Sequence, residues 1–214
     1  MARAVSEIAF TPAVRTTQTA QGSADAYAKL LAPEADRSDR LSDREIDFIT
    51  ARDGFYQATV SETDWPYVQF RGGPSGFVKI LDDRTIAYAD FRGNRQYLSV
   101  GNLVNNDRVS LILMDYPNRR RLKVWGRAKL VDVSDNPVLV AALHVDGYRA
   151  LPERAIIITV EAYDWNCPQH IPQRLTLEEF EPQLSPLREE IALLTAENRD
   201  LKALLETDRS KRNS

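Results

Sequence analysis

Cysteine is nearly absent: Cys167 stands alone in 214 residues, so no internal disulfide framework is possible. Histidine is almost as scarce, with only His144 and His170, and one thiol with two imidazoles is a thin ligand set for zinc. No run of about 18 apolar residues exists, which excludes a membrane-spanning helix. The N-terminus carries Arg3 but no continuous apolar stretch, so it does not read as a secretory signal. A cytoplasmic protein is the expectation. A large charge of one sign is also missing. With 28 basic and 31 acidic residues the formal charge is −3, and no global field draws the chain to nucleic acid. Nor is there a Gly-x-Gly-x-x-Gly run of the kind that seats a dinucleotide. What remains is a chain long enough for one sizeable domain with appendages, whose basic residues matter where they gather.

The middle of the chain is built from short β-branched and aromatic runs bounded by Gly, Pro or Asp, the pattern of strands joined by turns. Phe55–Val60, Trp65–Arg71, Gly76–Leu81, Thr85–Asp90, Arg108–Tyr116, Arg121–Val131 and Arg154–Trp165 are the predicted strands. Asp82-Asp83-Arg84 is short enough for a hairpin. In Arg121–Val131 the residues Leu122, Val124, Gly126, Ala128 and Leu130 share one face. Arg121, Lys123, Trp125, Arg127 and Lys129 share the other, so one side is core and the other is basic. Helical spacing appears at Tyr97, Val100 and Leu103, and again over 134–147 behind Asn136-Pro137. Ser42-Asp43-Arg44-Glu45 is a capping box that opens a packing helix with Ile46, Phe48 and Ile49 toward the barrel.

Basic residues recur beside the turns: Arg71 before Gly72-Gly73, Lys79 on a strand, Arg92 and Arg95 before a helix, and Arg119 to Arg121. Backbone N–H groups at a helix start near Asn94 add partial positive charge. Guanidinium groups and helix starts both match phosphate oxygens, so the pattern points to an anion site on a small barrel. Ordinary solvated charges are the plainer alternative.

The ordered pieces Gly76-Phe77-Val78-Lys79, Ile86-Ala87-Tyr88-Ala89-Asp90, Gly93-Asn94-Arg95-Gln96, Asn106-Asp107-Arg108-Val109-Ser110-Leu111 and Arg121-Leu122-Lys123-Val124-Trp125-Gly126 resemble the pyridoxamine 5′-phosphate oxidase-like family. The likeness covers about residues 55–165. It implies a mostly β (α+β) fold, the FMN-binding split β-barrel with flanking helices, and a homodimer with flavin at the interface. It implies that Lys79 and Arg95 hold the FMN phosphate, with Arg71, Asn94 and Gln96 beside them. Phe77, Val78, Lys79, Ile80, Ala89 and Asp90 would flank the ring and ribityl chain. Arg121 replaces a Gln that usually faces the flavin; a cation there would favour reduced, anionic flavin. Trp165 and Arg174 match a Trp and an Arg that reach the flavin from the other subunit. The Arg-x-His substrate signature of the pyridoxal-type oxidases is missing, which argues against pyridoxamine phosphate as substrate. The implied activity is FMN-dependent oxidation or reduction of a small molecule, with a nicotinamide as a possible electron donor. A flavin carrier or sensor without turnover, and a haem-binding relative using Cys167 and His170, stay open beside it.

The remaining segments are read as appendages. Residues 1–41 form an arm with little structure of its own and a short helix from Ser23 to Leu31; Pro33–Asp39 is charged linker. Residues 42–175 form the barrel. Residues 176–214 begin with a second capping box, Thr176-Leu177-Glu178-Glu179, and a new helix starts at Ser185-Pro186. There Leu184, Ile191, Asn198 and Leu205 take a positions, and Leu187, Leu194 and Leu201 take d positions. Leu at d with a lone Asn at a predicts a parallel two-stranded coiled coil, with Glu197 able to bridge to Lys202 of a second chain.

Overall fold

Seven alternating segments become seven strands: β1 (Gly54–Val60), β2 (Pro66–Gly72), β3 (Lys79–Asp82), β4 (Thr85–Phe91), β5 (Arg108–Asp115), β6 (Arg120–Asp132) and β7 (Pro152–Trp165). In the computed structural model, which describes residues 5–32, 38–165 and 168–212, they form one antiparallel sheet in the order β2-β1-β5-β6-β7-β4-β3. The sheet curves around a single core of Phe55, Leu111, Leu113, Leu122, Val124, Ile156, Ile158 and Tyr88, contributed from five strands. Strands far apart in the hydrogen-bonding order thus share one interior, which is the split-barrel fold. Tyr88 Oη donates to Gln57 Oε1 at 2.5 Å across that interior. The β6 alternation holds as expected, with Leu122, Val124, Gly126 and Ala128 buried. At the bulge between Trp125 and Gly126 only glycine fits, because a Cβ would lie 2.5 Å from the Thr159 carbonyl oxygen.

The helices cover what the barrel leaves open. α3 (Asp43–Thr50) inserts Phe48 and Ile49 into the core, and Ile46 packs beside them. Its capping box forms: Ser42 N and Oγ both donate to Glu45 Oε2, at 3.1 and 2.5 Å. α4 (Leu98–Asn105) buries Ser99 and Leu103. α5 (Pro137–Leu143) lies on the outer face of β4 and β7, where Ala87, Ala89 and Ala155 leave room for Val140 and Leu143. Asn136 caps it, accepting from Leu139 N at 3.0 Å. His144 at its end is structural, 3.1 Å from the Ala150 carbonyl oxygen and edge-on to Phe91.

The N-terminal arm corrects an expectation. Where little structure was expected it forms α1 (Val5–Ala9) and α2 (Pro12–Ala20), while the short helix expected up to Leu31 is present as a 3₁₀ helix over Ala24–Leu31. Thr11 and Pro12 supply an N-cap and N1 pair, and the hydroxyls of Thr16, Thr17 and Thr19 donate to carbonyls one turn back at 3.0–3.1 Å. Most of the expected linker, and Cys167, lie outside the described residues.

The chain divides into two compact units, Met1–Ile171 and Pro172–Ser214. The second contains α6 (Leu177–Arg212). The Thr176/Glu179 box forms, Thr176 N donating to Glu179 Oε2 at 2.8 Å and Glu179 N to Thr176 Oγ1 at 3.2 Å. A fresh start at Ser185 does not occur. Pro182 and Pro186 sit inside one continuous helix. They are one turn apart, so the donor missing at Pro186 is the one that would have met the Pro182 carbonyl.

Candidate functional site: an arginine-lined cleft at the split of the barrel

The ends of β2 and β4 face each other without pairing, and side chains bridge the gap. Asp90, near the end of β4, is buried between two arginines. Arg71 Nη1 on β2 donates to Asp90 Oδ1 at 2.5 Å, and Arg154 Nη1 on β7 donates to Asp90 Oδ2 at 2.8 Å. Arg154 also reaches Asp132 Oδ1 at 3.1 Å. Burial works against the Arg154 charge, but these carboxylates outweigh it and hold its pKa above the ordinary guanidinium value. Arg71 Nε is buried and has no hydrogen-bond partner.

After Phe91 the chain runs over this cluster as a loop before entering α4. Arg95 and Tyr97 both adopt left-handed φ, 62° and 53°, which turns the loop sharply at two side-chain-bearing residues. Asn94 Oδ1 accepts from Gln96 N at 3.2 Å and fixes the first turn. Two adjoining clefts result. One of about 240 Å³ is lined by Tyr67, Gln69, Arg71, Asp90 and the stretch from Gly93 to Val100, with Glu153. The other, of about 250 Å³, shares Gln69, Arg71, Asp90, Phe91 and Gly93 and adds Phe77, Tyr88, Ala89 and Tyr148. Glu153 Oε1 accepts from Arg92 Nε at 2.9 Å and from Tyr97 Oη at 3.3 Å. Those bonds, Arg92 first, keep its carboxyl below the usual glutamate pKa. Arg95 Nε lies 3.4 Å from the same Tyr97 oxygen, and the Arg154 guanidinium lies 5.3 Å from the Tyr97 ring.

Of the residues expected at a site, Arg71, Asp90, Asn94, Arg95 and Gln96 line the first cleft, and Phe77 and Ala89 line the second. Lys79, Val78, Ile80, Arg121 and Trp165 line neither. Lys79 pairs with Ala87, so it shares the outward face of β4 with Ala87 while Asp90 belongs to the opposite face. Val78 is buried in the core and Ile80 packs against it. Arg121 stands on the outer face of β6, opposite Met114, with its Nε buried and unpartnered. Trp165 is engaged by α3: its Nε1 donates to Glu45 Oε1 at 2.6 Å, Phe48 meets it edge-on, and the Arg44 guanidinium lies 4.3 Å from its ring. Arg174 belongs to the second unit. The helix start near Asn94 is corrected to Leu98, because the two left-handed residues delay it.

Three members of the cluster escaped sequence reading: Tyr97 as a polar group, Glu153 and Arg154. Their signal is the charged pair at the start of an otherwise apolar strand. It becomes informative only when register sets Arg154 opposite Asp90 and Asp132.

A family model for pyridoxamine 5′-phosphate oxidase matches residues 42–164, more than half of the chain. The chain belongs to the pyridoxamine 5′-phosphate oxidase family. No curated protein matches it. Among solved structures, this family member is similar to HupZ from Group A Streptococcus, with 15% identity over 63% of this chain and 100% of that one and a TM-score of 0.44. It is also similar to an FMN-binding protein from Syntrophomonas wolfei, with 10% identity over 70% and 97% of the two chains and a TM-score of 0.45. General Stress Protein 26 from Bacillus anthracis is similar at 16% identity, over 56% and 88%, with a TM-score of 0.43. No helix among the described residues of this oxidase-family chain is long and apolar enough to cross a membrane.

Proposed function

We propose that the protein binds FMN and acts as a flavin-dependent oxidoreductase on a small molecule other than pyridoxamine phosphate. The observation that carries this reading is the arginine-lined cleft, in a chain of this family, beside the loop from Gly93 to Tyr97. The residues fit a phosphate: Arg95 and Arg92 supply cationic donors from the loop, and the buried Arg71 Nε is an unused donor in the wall. Arg71 and Arg154 are already held by Asp90, so they are oriented before any ligand arrives. Lys79 is not needed in this version of the site. The bound flavin supplies the redox chemistry; the chain binds it, orients it and sets the charge around it.

A homodimer is part of the proposal. Tyr56, Val68 and Phe70 stand on one outward face of β1 and β2 and are 41, 60 and 58% exposed, a patch that a second copy would cover. The unpartnered Arg121 Nε lies on the same sheet face, in line through Met114 and Ile112. The α6 seam is a second contact. Leu187, Ile191, Leu194, Leu201 and Leu205 are all at least half exposed. Parallel pairing sets Glu197 against Lys202 of the second chain. Antiparallel pairing in the register that sets Ile191 beside Leu194 would oppose Glu190 with Glu197.

The test is the absorption spectrum of the freshly purified protein, followed by anaerobic mixing with reduced nicotinamides. A bound, oxidised-flavin spectrum that bleaches with a donor supports the proposal. A Soret band, or protein that takes up no FMN on titration, overturns it.

A further inference from the structure

Glu153 is the misfit in the cleft. The other carboxylates of the cluster are already neutralised: Asp90 also lines the cleft, but Arg71 holds its Oδ1 and Arg154 its Oδ2, and Asp132 is on the far side of Arg154. Glu153 lines the first cleft with its side chain only 14% exposed, and its partners belong to the loop and not to a buried pair. It uses the donors that an incoming anion would use. Arg92 Nε and Tyr97 Oη both point to Glu153 Oε1, Arg154 Nη2 lies 3.8 Å from Oε2, and Arg95 reaches Tyr97 in the same chain of contacts. Its bond to Arg92 favours the charged form. The cleft therefore holds an anion of its own.

We propose that Glu153 is an internal competitor for the ligand's phosphate, occupying the Arg92 and Tyr97 donors until a dianionic phosphate displaces it. This rests on the FMN reading for the ligand's identity but not for its chemistry. A neutral ligand, or one carrying a single diffuse charge, gains too little from Arg92 and Arg95 to move the carboxylate. A phosphate group offers more acceptor oxygens and more charge to the same donors. Glu153 thus weakens anion binding in general and selects for the more strongly charged ligand. A positioning role is the contrary case. There Glu153 would hold Arg92 and Tyr97 in place, and removing its charge would weaken binding.

The experiment uses full-length wild type and Glu153→Gln, which keeps the side-chain shape, with Glu153→Ala as a second variant. FMN and riboflavin are titrated by flavin fluorescence, and inorganic pyrophosphate by the rise in melting temperature. Removing a like charge a few ångströms from the phosphate should tighten FMN about tenfold or more, while riboflavin stays unchanged. Pyrophosphate should raise the melting temperature of both variants more than that of wild type. FMN affinity that is unchanged or weaker in the variants overturns the proposal. So does equal tightening of FMN and riboflavin. If wild type binds no FMN, the flavin reading falls, and pyrophosphate alone decides the role of Glu153: no larger stabilisation in the variants refutes it.

Discussion

Removing the Asp90 carboxylate should cost far more stability than its position near a strand end would indicate. Its side chain is 6% exposed, and the Arg71 and Arg154 side chains are 12% exposed. In Asp90→Ala both guanidinium groups stay in the wall without their shared acceptor. Taking one partner from a buried pair typically costs about 3–5 kcal/mol, since the remaining charge is left desolvated. The two arginines are not equally exposed to the loss. Arg154 keeps Asp132 at 3.1 Å and Glu153 at 3.8 Å, whereas Arg71 makes no other ion pair among the described residues. The expected loss is therefore about 3 kcal/mol, or roughly 6–12 °C in melting temperature for a unit of this size. Urea is the denaturant of choice, because guanidinium would screen the pair. Tryptophan fluorescence is the probe, since Trp65, Trp125 and Trp165 are the only tryptophans and all lie in the first unit. In an Arg71→Met background the same substitution should cost at least about 1 kcal/mol less, which isolates the coupling. A loss below about 1 kcal/mol, or full additivity with Arg71→Met, would show the pair to be effectively solvated and the reasoning wrong.

Arg95→Ala should weaken FMN about tenfold or more, while Lys79→Ala stays within about twofold of wild type in the same titration. The reverse order would move the phosphate to the outward face of β3. Glu45 offers a pH test: burial pushes its pKa up, but hydrogen bonds from Ser42 and Trp165 outweigh that and leave it below 4.5. A carboxyl depressed by folding stabilises the native state above its unfolded pKa, and that contribution fades as pH falls through the folded value. Glu45→Gln should thus destabilise at pH 7 by about 1–3 kcal/mol, with the gap to wild type closing below pH 4.5, followed by urea midpoints. A gap that persists unchanged at low pH would refute the role of the charge. For α6, Leu187→Cys in a Cys167→Ser background should form an interchain disulfide under mild oxidation, because equivalent d positions face each other in a parallel pair. Only monomer on a non-reducing gel would count against parallel pairing.

The strands were legible because burial on one side writes a period of two into the sequence, as in Leu122, Val124, Gly126 and Ala128. Helix starts were legible where a cap is local, as at Ser42/Glu45 and Thr176/Glu179. The arm over α1 and α2 was not read, because threonines such as Thr16 and Thr17 weaken a helical pattern until their hydroxyls are seen bonding back along the helix. At the cleft, the loop residues Asn94, Arg95 and Gln96 could be found as a contiguous set. Lys79 shows the limit. A strand residue's side depends on the register of its partner, and one position of difference sends a cation to the other face. Glu153 and Arg154 were hidden for the same reason, since Arg92, which meets Glu153, and Asp90, which meets Arg154, are more than 50 residues away in sequence.

The seam between β2 and β4 is closed by guanidinium and carboxylate groups instead of a backbone ladder. A wall made that way involves no strand pairing, so it can loosen without unzipping any strand. A ligand anion seated there would become part of the wall, so that filling the cleft and fastening the barrel are one event.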